Sequence, residues 1–219
     1  MVNQVVIVTG GSRGIGAATA RMAAAQGYAV ILSYRTQASA AAAIVEQITT
    51  AGGRALAVQA DVSVDAEVVR LFETAAFTFG AVTALVNNAG IVETKSRVAE
   101  MSGERLLRVM ATNVIGSFLC AREAIRTMST ARGGAGGAIV NVSSAAARLG
   151  SPGEFVDYAA SKGAIDTLLD VSGRANLFSP PSHSSGWSLA ASSESFADSR
   201  RQGGCCGAVC VAWRRRCRG

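Results

Sequence analysis

A regular alternation of short β-branched segments and longer Ala-rich segments constrains the fold of this 219-residue chain more than any other feature. Strand segments are predicted at residues 4–10, 29–34, 54–61, 83–90 and 137–144. Helices are predicted at residues 14–27, 37–51, 65–79 and 103–129, and a last helix begins near Tyr158. Strands that alternate with helices of this length need crossover connections, so we predict a mostly parallel sheet with helices on both faces.

The first turn between a strand and a helix carries a glycine pattern. In TGGSRGIG the spacing is Thr-Gly-x3-Gly-x-Gly, with glycines at Gly10, Gly14 and Gly16. Glycine permits a tight turn there, lets the backbone approach a pyrophosphate, and leaves a helix N-terminus facing the phosphate charge. On this motif alone, an ordinary glycine-rich turn remains the alternative.

Four further motifs follow the glycine turn. They are ADVS at 60–63, NNAG at 87–90, ATNV with Asn113, and YAASK at 158–162 preceded by Ser143 and Ser144. Together with the glycine turn they resemble the short-chain dehydrogenase/reductase family over about residues 2–171. The resemblance is to NADP-preferring members of the type labelled bacterial glucose dehydrogenase or ketoacyl reductase. It implies an α/β fold, a Rossmann-like doubly wound parallel sheet with strand order 3-2-1-4-5.

The resemblance also implies catalytic roles for Asn113, Ser144, Tyr158 and Lys162. Lys162 follows Tyr158 by one helical turn, so its ammonium can favour the ionised phenol and bring the Tyr158 pKa toward neutrality. Tyr158 would exchange a proton with the substrate oxygen, Ser144 would hydrogen-bond that oxygen, and Asn113 would hold a water linking Lys162 to solvent. Taken singly, a surface Tyr–Lys pair, a loop-capping Ser and a backbone-satisfying Asn remain alternatives.

Charge near the second strand indicates the cofactor. NAD-binding sites place a carboxylate about 20 residues beyond the glycines, whereas a 2′-phosphate requires cations. Only Glu46 is acidic between residues 31 and 50, while Arg13 and Arg35 supply cations, so NADP(H) is favoured and NAD(H) is the second choice. Arg35 as a solvated helix-start residue is the alternative. The resemblance implies cofactor contacts from Gly10, Ser12, Arg13, Gly14, Ile15, Gly16, Arg35, Asp61, Val62, Asn87, Ala89, Gly90, Tyr158 and Lys162.

The composition changes after about residue 170. Residues 172–219 hold seven Arg against two acidic residues, and four of the five Cys. The family continues with a sixth strand ending in Asn-x-(Val/Ile)-x-Pro-Gly, a substrate loop and a seventh strand, none of which this segment matches. We therefore expect an incomplete cofactor-binding domain at 1–171, a disordered low-complexity tail at 172–219, and an unprotected fifth-strand edge. A frameshift is our hypothesis for the tail, and a naturally divergent terminus is the alternative.

These features predict an oxidoreductase that moves hydride between NADP(H) and a carbonyl or alcohol. The alternative is a non-catalytic or unstable nucleotide-binding remnant. A sugar, a β-ketoacyl thioester and a small ketone all remain open as substrates. Members of the family pair through two helices, which here are the predicted helix at 103–129 and the helix that begins near Tyr158 (the Tyr helix). We therefore expect at most a homodimer here rather than the family's tetramer.

Other partners and sites are not expected. The tail cysteines lack a Cys-x2-Cys pair, which argues against a zinc site, and the Arg-rich end has no folded basic face for a specific nucleic acid. No apolar run reaches the length that spans a bilayer. Residues 1–171 contain a single Cys, Cys120. This favours a reducing compartment, so we expect a cytoplasmic location.

Overall fold

A single sheet forms the centre of the structure, which is a computed structural model describing residues 4–174 and 210–212, with side chains to residue 168. Its strands are β1 (Val5–Val8), β2 (Ala29–Tyr34), β3 (Arg54–Gln59), β4 (Ala84–Asn87), β5 (Ala138–Val142) and β6 (Cys210–Ala212). They lie in the order β3-β2-β1-β4-β5-β6, and the first five are parallel. The predicted parallel sheet of order 3-2-1-4-5 is therefore confirmed.

Helices connect the parallel strands. They are α1 (Gly14–Ala25), α2 (Ala38–Thr50), α3 (Asp65–Phe79), α4 (Gly103–Met110), α5 (Gly116–Met128), α6 (Ala146–Leu149) and α7 (Val156–Arg174). Two short 3-10 turns lie at Val98–Glu100 and Thr130–Arg132. No helix in the part of the chain that the structure describes is long and apolar enough to cross a membrane.

The hydrophobic core has two parts, one on each face of the sheet, and β1 contributes side chains to both. Val5 and Ile7 pack with Leu71, Phe72 and other residues of α3 and α5, in one hydrophobic cluster. Their neighbours in β1, Val6 and Val8, belong to a second cluster with residues of α1 and α2. Successive side chains of a strand point to opposite faces, so the unbroken apolar run VVIV supplies both clusters.

Three elements differ from the sequence-based expectations. The predicted long helix at 103–129 is interrupted by a π-helical turn, Ala111–Ile115, between α4 and α5. The last helix continues to Arg174, three residues into the expected tail. Cys210–Ala212 pairs antiparallel with β5, with Asn141 opposite Val211, so the β5 edge is partly covered and not unprotected as expected.

Most of the tail lies outside the described residues. Cys205, Cys206 and Cys217 are among the positions that the structure does not describe, as are both Trp residues. The predicted disorder, the frameshift hypothesis and the expected lack of a tail metal site therefore stay predictions.

Candidate active site

The glycine turn joins the end of β1 to the start of α1. Gly10 and Gly14 have φ of 63° and 54°, a region that residues with a Cβ rarely adopt. A Cβ on Gly16 would lie 2.4 Å from the Gly10 carbonyl oxygen and 2.5 Å from Asn88 Nδ2. Glycine is thus required here for the turn to close and for α1 to pack against it.

The turn is tied to the segment after β4. The Asn88 and Ala89 N–H groups both donate to Thr9 Oγ1 over 3.0 Å. Asn88 Nδ2 donates to the carbonyl oxygens of Thr9, at 2.9 Å, and Gly10, at 3.1 Å. The glycine turn and the NNAG segment therefore form one hydrogen-bonded unit at the carboxyl ends of adjacent parallel strands, where open α/β sheets bind ligands.

The Tyr–Lys pair lies on α7 beside the end of β5. Lys162 is buried, and its Nζ donates to the Val142 carbonyl oxygen over 2.7 Å. The same nitrogen lies 5.7 Å from the centre of the Tyr158 ring. The Lys162 ammonium is therefore held by the β5 backbone close to the Tyr158 side chain, as the i, i+4 spacing predicts.

Ser144 lies across from this pair. It is largely buried, and its Oγ accepts a hydrogen bond from the Ala146 N–H over 3.2 Å. That bond uses an acceptor lone pair of the hydroxyl and leaves its O–H as a donor. Neighbouring Ser143 donates to the Lys162 carbonyl oxygen over 3.4 Å, which adds a contact between the end of β5 and α7.

Asn113 lies in the π-helical turn and bridges two segments of the site. Its Oδ1 accepts from the Ile91 N–H over 2.8 Å, and its Nδ2 donates to the Ile91 carbonyl oxygen over 2.9 Å. Nδ2 also donates to Ser161 Oγ on α7 over 2.9 Å. Asn113 thus joins the segment after β4 to the Tyr helix, and π turns of this kind are frequent at functional sites.

One cleft brings these segments together. Its lining residues are Ile15, Asn88, Gly90, Ile91, Val92, Val142, Ser143, Ser144, Tyr158 and Lys162. Its volume is about 140 Å³, below the roughly 300–1,000 Å³ of typical ligand pockets. The cleft can thus enclose only part of a large ligand, next to three of the four predicted catalytic residues.

A known protein family matches most of this chain. The family model described as short chain dehydrogenase matches residues 4–175. The chain belongs to the short-chain dehydrogenase family. The uncharacterized oxidoreductase YgfF of Escherichia coli (strain K12) is 54% identical over 164 residues, which are 75% of this chain and 66% of YgfF. The chain thus spans just under two thirds of that relative's length.

Solved structures of the short-chain dehydrogenase family share the fold. A dehydrogenase/reductase from Sinorhizobium meliloti 1021 is 34% identical with a TM-score of 0.74, over 80% of this chain and 68% of that one. A short-chain dehydrogenase from Burkholderia cenocepacia J2315 in complex with NADP is 33% identical with a TM-score of 0.72, over 78% and 67%. The family resemblance stated from the motifs is therefore confirmed.

In this short-chain dehydrogenase three residues predicted to contact the cofactor, Arg35, Asp61 and Val62, differ in accessibility. Arg35 Nη1 lies 3.7 Å from Asp61 Oδ2, with the Arg35 side chain 58% exposed. Asp61 also accepts bonds from the Ser63 N–H and Oγ, at 3.0 and 2.7 Å. Val62 is buried, and a Cβ on Gly116 would lie 2.6 Å from its Cγ2, so the Val62 side chain packs in the hydrophobic core.

Asn87 is also placed away from the cleft. Its buried side-chain nitrogen donates to Asn141 Oδ1 over 2.8 Å and to the Ser117 carbonyl oxygen over 3.1 Å. This amide therefore links β4, β5 and α5. Asn88, which the sequence analysis did not single out, lines the cleft instead. The alternating faces of β4 were the signal that could have separated the two asparagines.

Ser12, Arg13, Ala89 and Gly90 complete the predicted set. Arg13 is exposed at the N-cap of α1 and Ser12 is partly exposed beside it. Ala89 packs against the hydrophobic core, whereas a Cβ on Gly90 would lie 3.4 Å from Asn113 Oδ1 and 3.7 Å from Lys162 Nζ. The structure thus gathers Gly90 with the catalytic candidates, and Ser12 and Arg13 with the glycine turn.

A buried ion pair between α4 and α7 could not be predicted from the sequence. Arg105 of α4 and Asp157 of α7 are both buried, and Arg105 Nε donates to Asp157 Oδ2 over 2.7 Å. Burial tends to raise the pKa of the Asp157 carboxyl, but the hydrogen bonds from Arg105 and from the Tyr158 N–H outweigh it and lower that pKa overall. No local pattern reveals this pair, because the partners are 52 residues apart.

Proposed function

We propose that this short-chain dehydrogenase transfers hydride between NADP(H) and a carbonyl or alcohol substrate. The observation that carries the proposal is the convergence of Ser144, Tyr158 and Lys162 on one cleft, which Ile15 of the glycine turn also lines. A proton donor, a hydrogen-bond donor and a cation then lie next to a phosphate-binding type of turn, as carbonyl reduction requires.

The glycine turn fits the pyrophosphate of a dinucleotide. Gly10 and Gly14 hold positive φ, and a Cβ on Gly14 would meet no atom within 4 Å, so there is room above the turn. The first turn of α1 carries no acidic side chain. Its N–H groups and the helix dipole therefore favour an anion without repulsion from a carboxylate.

The chain's own residues handle the oxygen and its proton. A nicotinamide cofactor held at the glycine turn would supply the hydride for reduction of the carbonyl and would take up hydride in the reverse direction. Tyr158 gives its phenolic proton to the carbonyl oxygen, and Ser144 donates a hydrogen bond to that oxygen. Lys162 stabilises the tyrosinate that remains. Asn113 holds the Ile91 segment next to α7 through its hydrogen bonds to Ile91 and Ser161.

NADP(H) is the cofactor we propose. Arg13 and Arg35 are exposed cations near the turn and at the end of β2, and the Burkholderia cenocepacia relative is a complex with NADP. The Asp61 carboxylate, 3.7 Å from Arg35, offsets part of this positive charge. The preference for NADP(H) over NAD(H) therefore requires that the 2′-phosphate either displaces Asp61 from Arg35 or binds Arg35 together with Asp61.

Titration of the full chain with NADPH and NADH tests the cofactor assignment. Arg13→Ala with Arg35→Ala should weaken NADPH binding by at least about tenfold and NADH binding far less, because each charge-assisted contact contributes about 1.5–3 kcal/mol. Arg21→Ala removes a cation from the same helix α1 at an exposed position and serves as the matched control. Equal weakening of both cofactors would contradict the NADP(H) preference.

A panel of ketones, sugars and β-ketoacyl thioesters with NADPH tests the reaction. We expect Tyr158→Phe to bind NADPH normally and to lower turnover by roughly 100-fold or more, the low end for a general acid. Tyr28→Phe is the matched control, since it removes a hydroxyl outside the cleft lining. Turnover that survives Tyr158→Phe would refute the catalytic assignment.

Nucleotide binding without turnover is the second candidate function. The observation that favours it is the extent of the match, which covers 66% of the YgfF relative. NADPH binding with no turnover on any substrate would support this candidate. Joining residues 1–169 to the C-terminal part of a close relative should then yield Tyr158-dependent reduction.

We also propose a homodimer that pairs through α4, α5 and α7. Leu107, Ile115 and Phe118 are exposed apolar side chains along the first two of these helices and the turn between them. Their burial against a second copy would remove apolar surface from water. Phe118→Asp should shift the molar mass measured by light scattering from dimer to monomer, and a wild-type monomer would refute this pairing.

A further inference from the structure

Arg105 connects three segments around the candidate active site. Its Nε and Nη2 donate to the two carboxylate oxygens of Asp157, over 2.7 and 3.2 Å. Its Nη1 donates to the Thr94 carbonyl oxygen over 2.7 Å. Arg105 on α4 therefore fixes both the start of α7 and the segment that follows the cleft residues Ile91 and Val92.

Asp157 passes this constraint to Tyr158. Its Oδ1 accepts a hydrogen bond from the Tyr158 N–H over 2.9 Å, in the first turn of α7. A carboxylate is favoured at a helix N-terminus, and here it also holds the backbone of the neighbouring residue. The Asp157 carboxylate thus connects the guanidinium of Arg105 to the main chain of Tyr158.

The charges around Tyr158 make this connection electrostatic as well as steric. Lys162 is the one charged residue among the described lining of the cleft, and it lies on the same helix as Tyr158. Asp157 and Arg105, from α7 and α4, form a buried pair of zero net charge behind it. Removing either partner would leave a buried charge next to the phenol-bearing residue.

We propose that Arg105 is a positioning residue that acts on Tyr158 through Asp157. The bidentate contact holds the first turn of α7, and the guanidinium charge keeps the Asp157 carboxylate from opposing ionisation of Tyr158. This inference rests on the proposed function only in taking Tyr158 as the proton-transfer group.

The test measures the Tyr158 pKa in the full chain without cofactor or substrate. The chain has three tyrosines, so ¹³Cζ-tyrosine NMR gives three signals to assign, and Tyr158→Phe identifies one of them. We expect Arg105→Met to raise the Tyr158 pKa by about one pH unit and Asp157→Asn to lower it by a similar amount. The double variant Arg105→Met/Asp157→Asn should return close to the wild-type value.

Two further variants separate charge from loss of structure. Arg105→Lys keeps the charge and should leave the Tyr158 pKa within a few tenths of a unit of wild type. Arg108→Met removes another α4 arginine, whose Nε donates to Glu93 over 3.2 Å at an exposed position, and should leave the Tyr158 pKa unchanged. Far-UV circular dichroism checks the fold, and Asp157→Asn with the double variant carries the test if Arg105→Met does not fold.

Shifts of opposite sign that cancel in the double variant would support the proposal. Shifts of the same sign in both single variants, no shift in either, or an equal shift in Arg108→Met would overturn it. Because this titration uses no ligand, its outcome is separate from that of the proposed function. NADPH binding and ketone reduction can fail while the Tyr158 shifts are observed, and the reverse also holds.

Discussion

Gly16 shows how one atom decides whether the glycine turn can form. A Cβ at this position would lie 2.4 Å from the Gly10 carbonyl oxygen, which is far shorter than any normal contact. A side chain there would push α1 away from the turn, or push the turn away from Asn88. At the residue scale, the predicted phosphate site therefore depends on the absence of a side chain at Gly16.

We predict that Gly16→Ala destabilises the fold by about 1–3 kcal/mol, as overpacked sites do, and weakens NADPH binding at least about tenfold. Urea unfolding and NADPH titration measure the two effects. The control is Gly163→Ala on α7, where a Cβ would meet no atom within 4 Å. Helix propensity predicts stabilisation of about 1 kcal/mol for that control. Equal effects of the two substitutions would contradict the steric account.

At the scale of elements, the site depends on contacts between α4, the π-helical turn and α7. Asn113 and Arg105 each reach α7 from the preceding helical segments, to Ser161 and Asp157 respectively. Tyr158 lies between these two anchor points along the chain. Helix α7 is thus held on both sides of Tyr158 by polar contacts from neighbouring segments.

The Arg105–Asp157 pair should make stability depend on acid. The folded pKa of Asp157 is lowered, so the folded state binds the Asp157 proton more weakly than the unfolded state, whose carboxyl has a pKa of about 3.9. The contribution of the pair is therefore complete above that unfolded value and is lost as the pH falls through the folded pKa. We expect Asp157→Asn to cost about 3–5 kcal/mol at neutral pH and progressively less below about pH 4.

Urea unfolding of wild type and Asp157→Asn between neutral and strongly acid pH measures this difference. Asp65→Asn is the control, because Asp65 forms an exposed pair with Arg122 that also lowers the Asp65 pKa. Its effect should be smaller and should fade in high salt, unlike that of the buried pair. A difference between wild type and Asp157→Asn that stays constant over the whole pH range would refute the linkage.

At the scale of the whole molecule, the edge of the sheet depends on a strand more than 60 residues beyond β5. Cys210, Val211 and Ala212 lie opposite Val142, Asn141 and Val140 in antiparallel register. An edge strand without a partner is an aggregation hazard, and this pairing covers the apolar end of the sheet. The last part of the chain thus contributes to the sheet although it matches no family motif.

Ending the chain at Val209 should uncover this edge. We expect the β5 amides that face β6 to exchange at least roughly tenfold faster, while those bonded to β4 keep their protection. Size-exclusion chromatography should also show larger assemblies. The full-length Val211→Thr variant keeps a β-branched residue and should behave like wild type. Unchanged exchange in the shortened chain would mean that β6 does not protect β5.

The parallel sheet with helices on both faces follows from the sequence by itself, and its strand order follows from the family resemblance that the motifs carry. The periodicity of apolar residues within an element indicates whether one or both of its faces are buried. The glycine turn, Asn113 and the Tyr158–Lys162 pair lie at fixed spacings within single elements or at their ends. The tertiary structure alone decided which acid pairs with Arg105 and what lies against β5. Those outcomes depend on packing between segments distant in sequence, where many partners share the same local pattern and only three-dimensional proximity selects one.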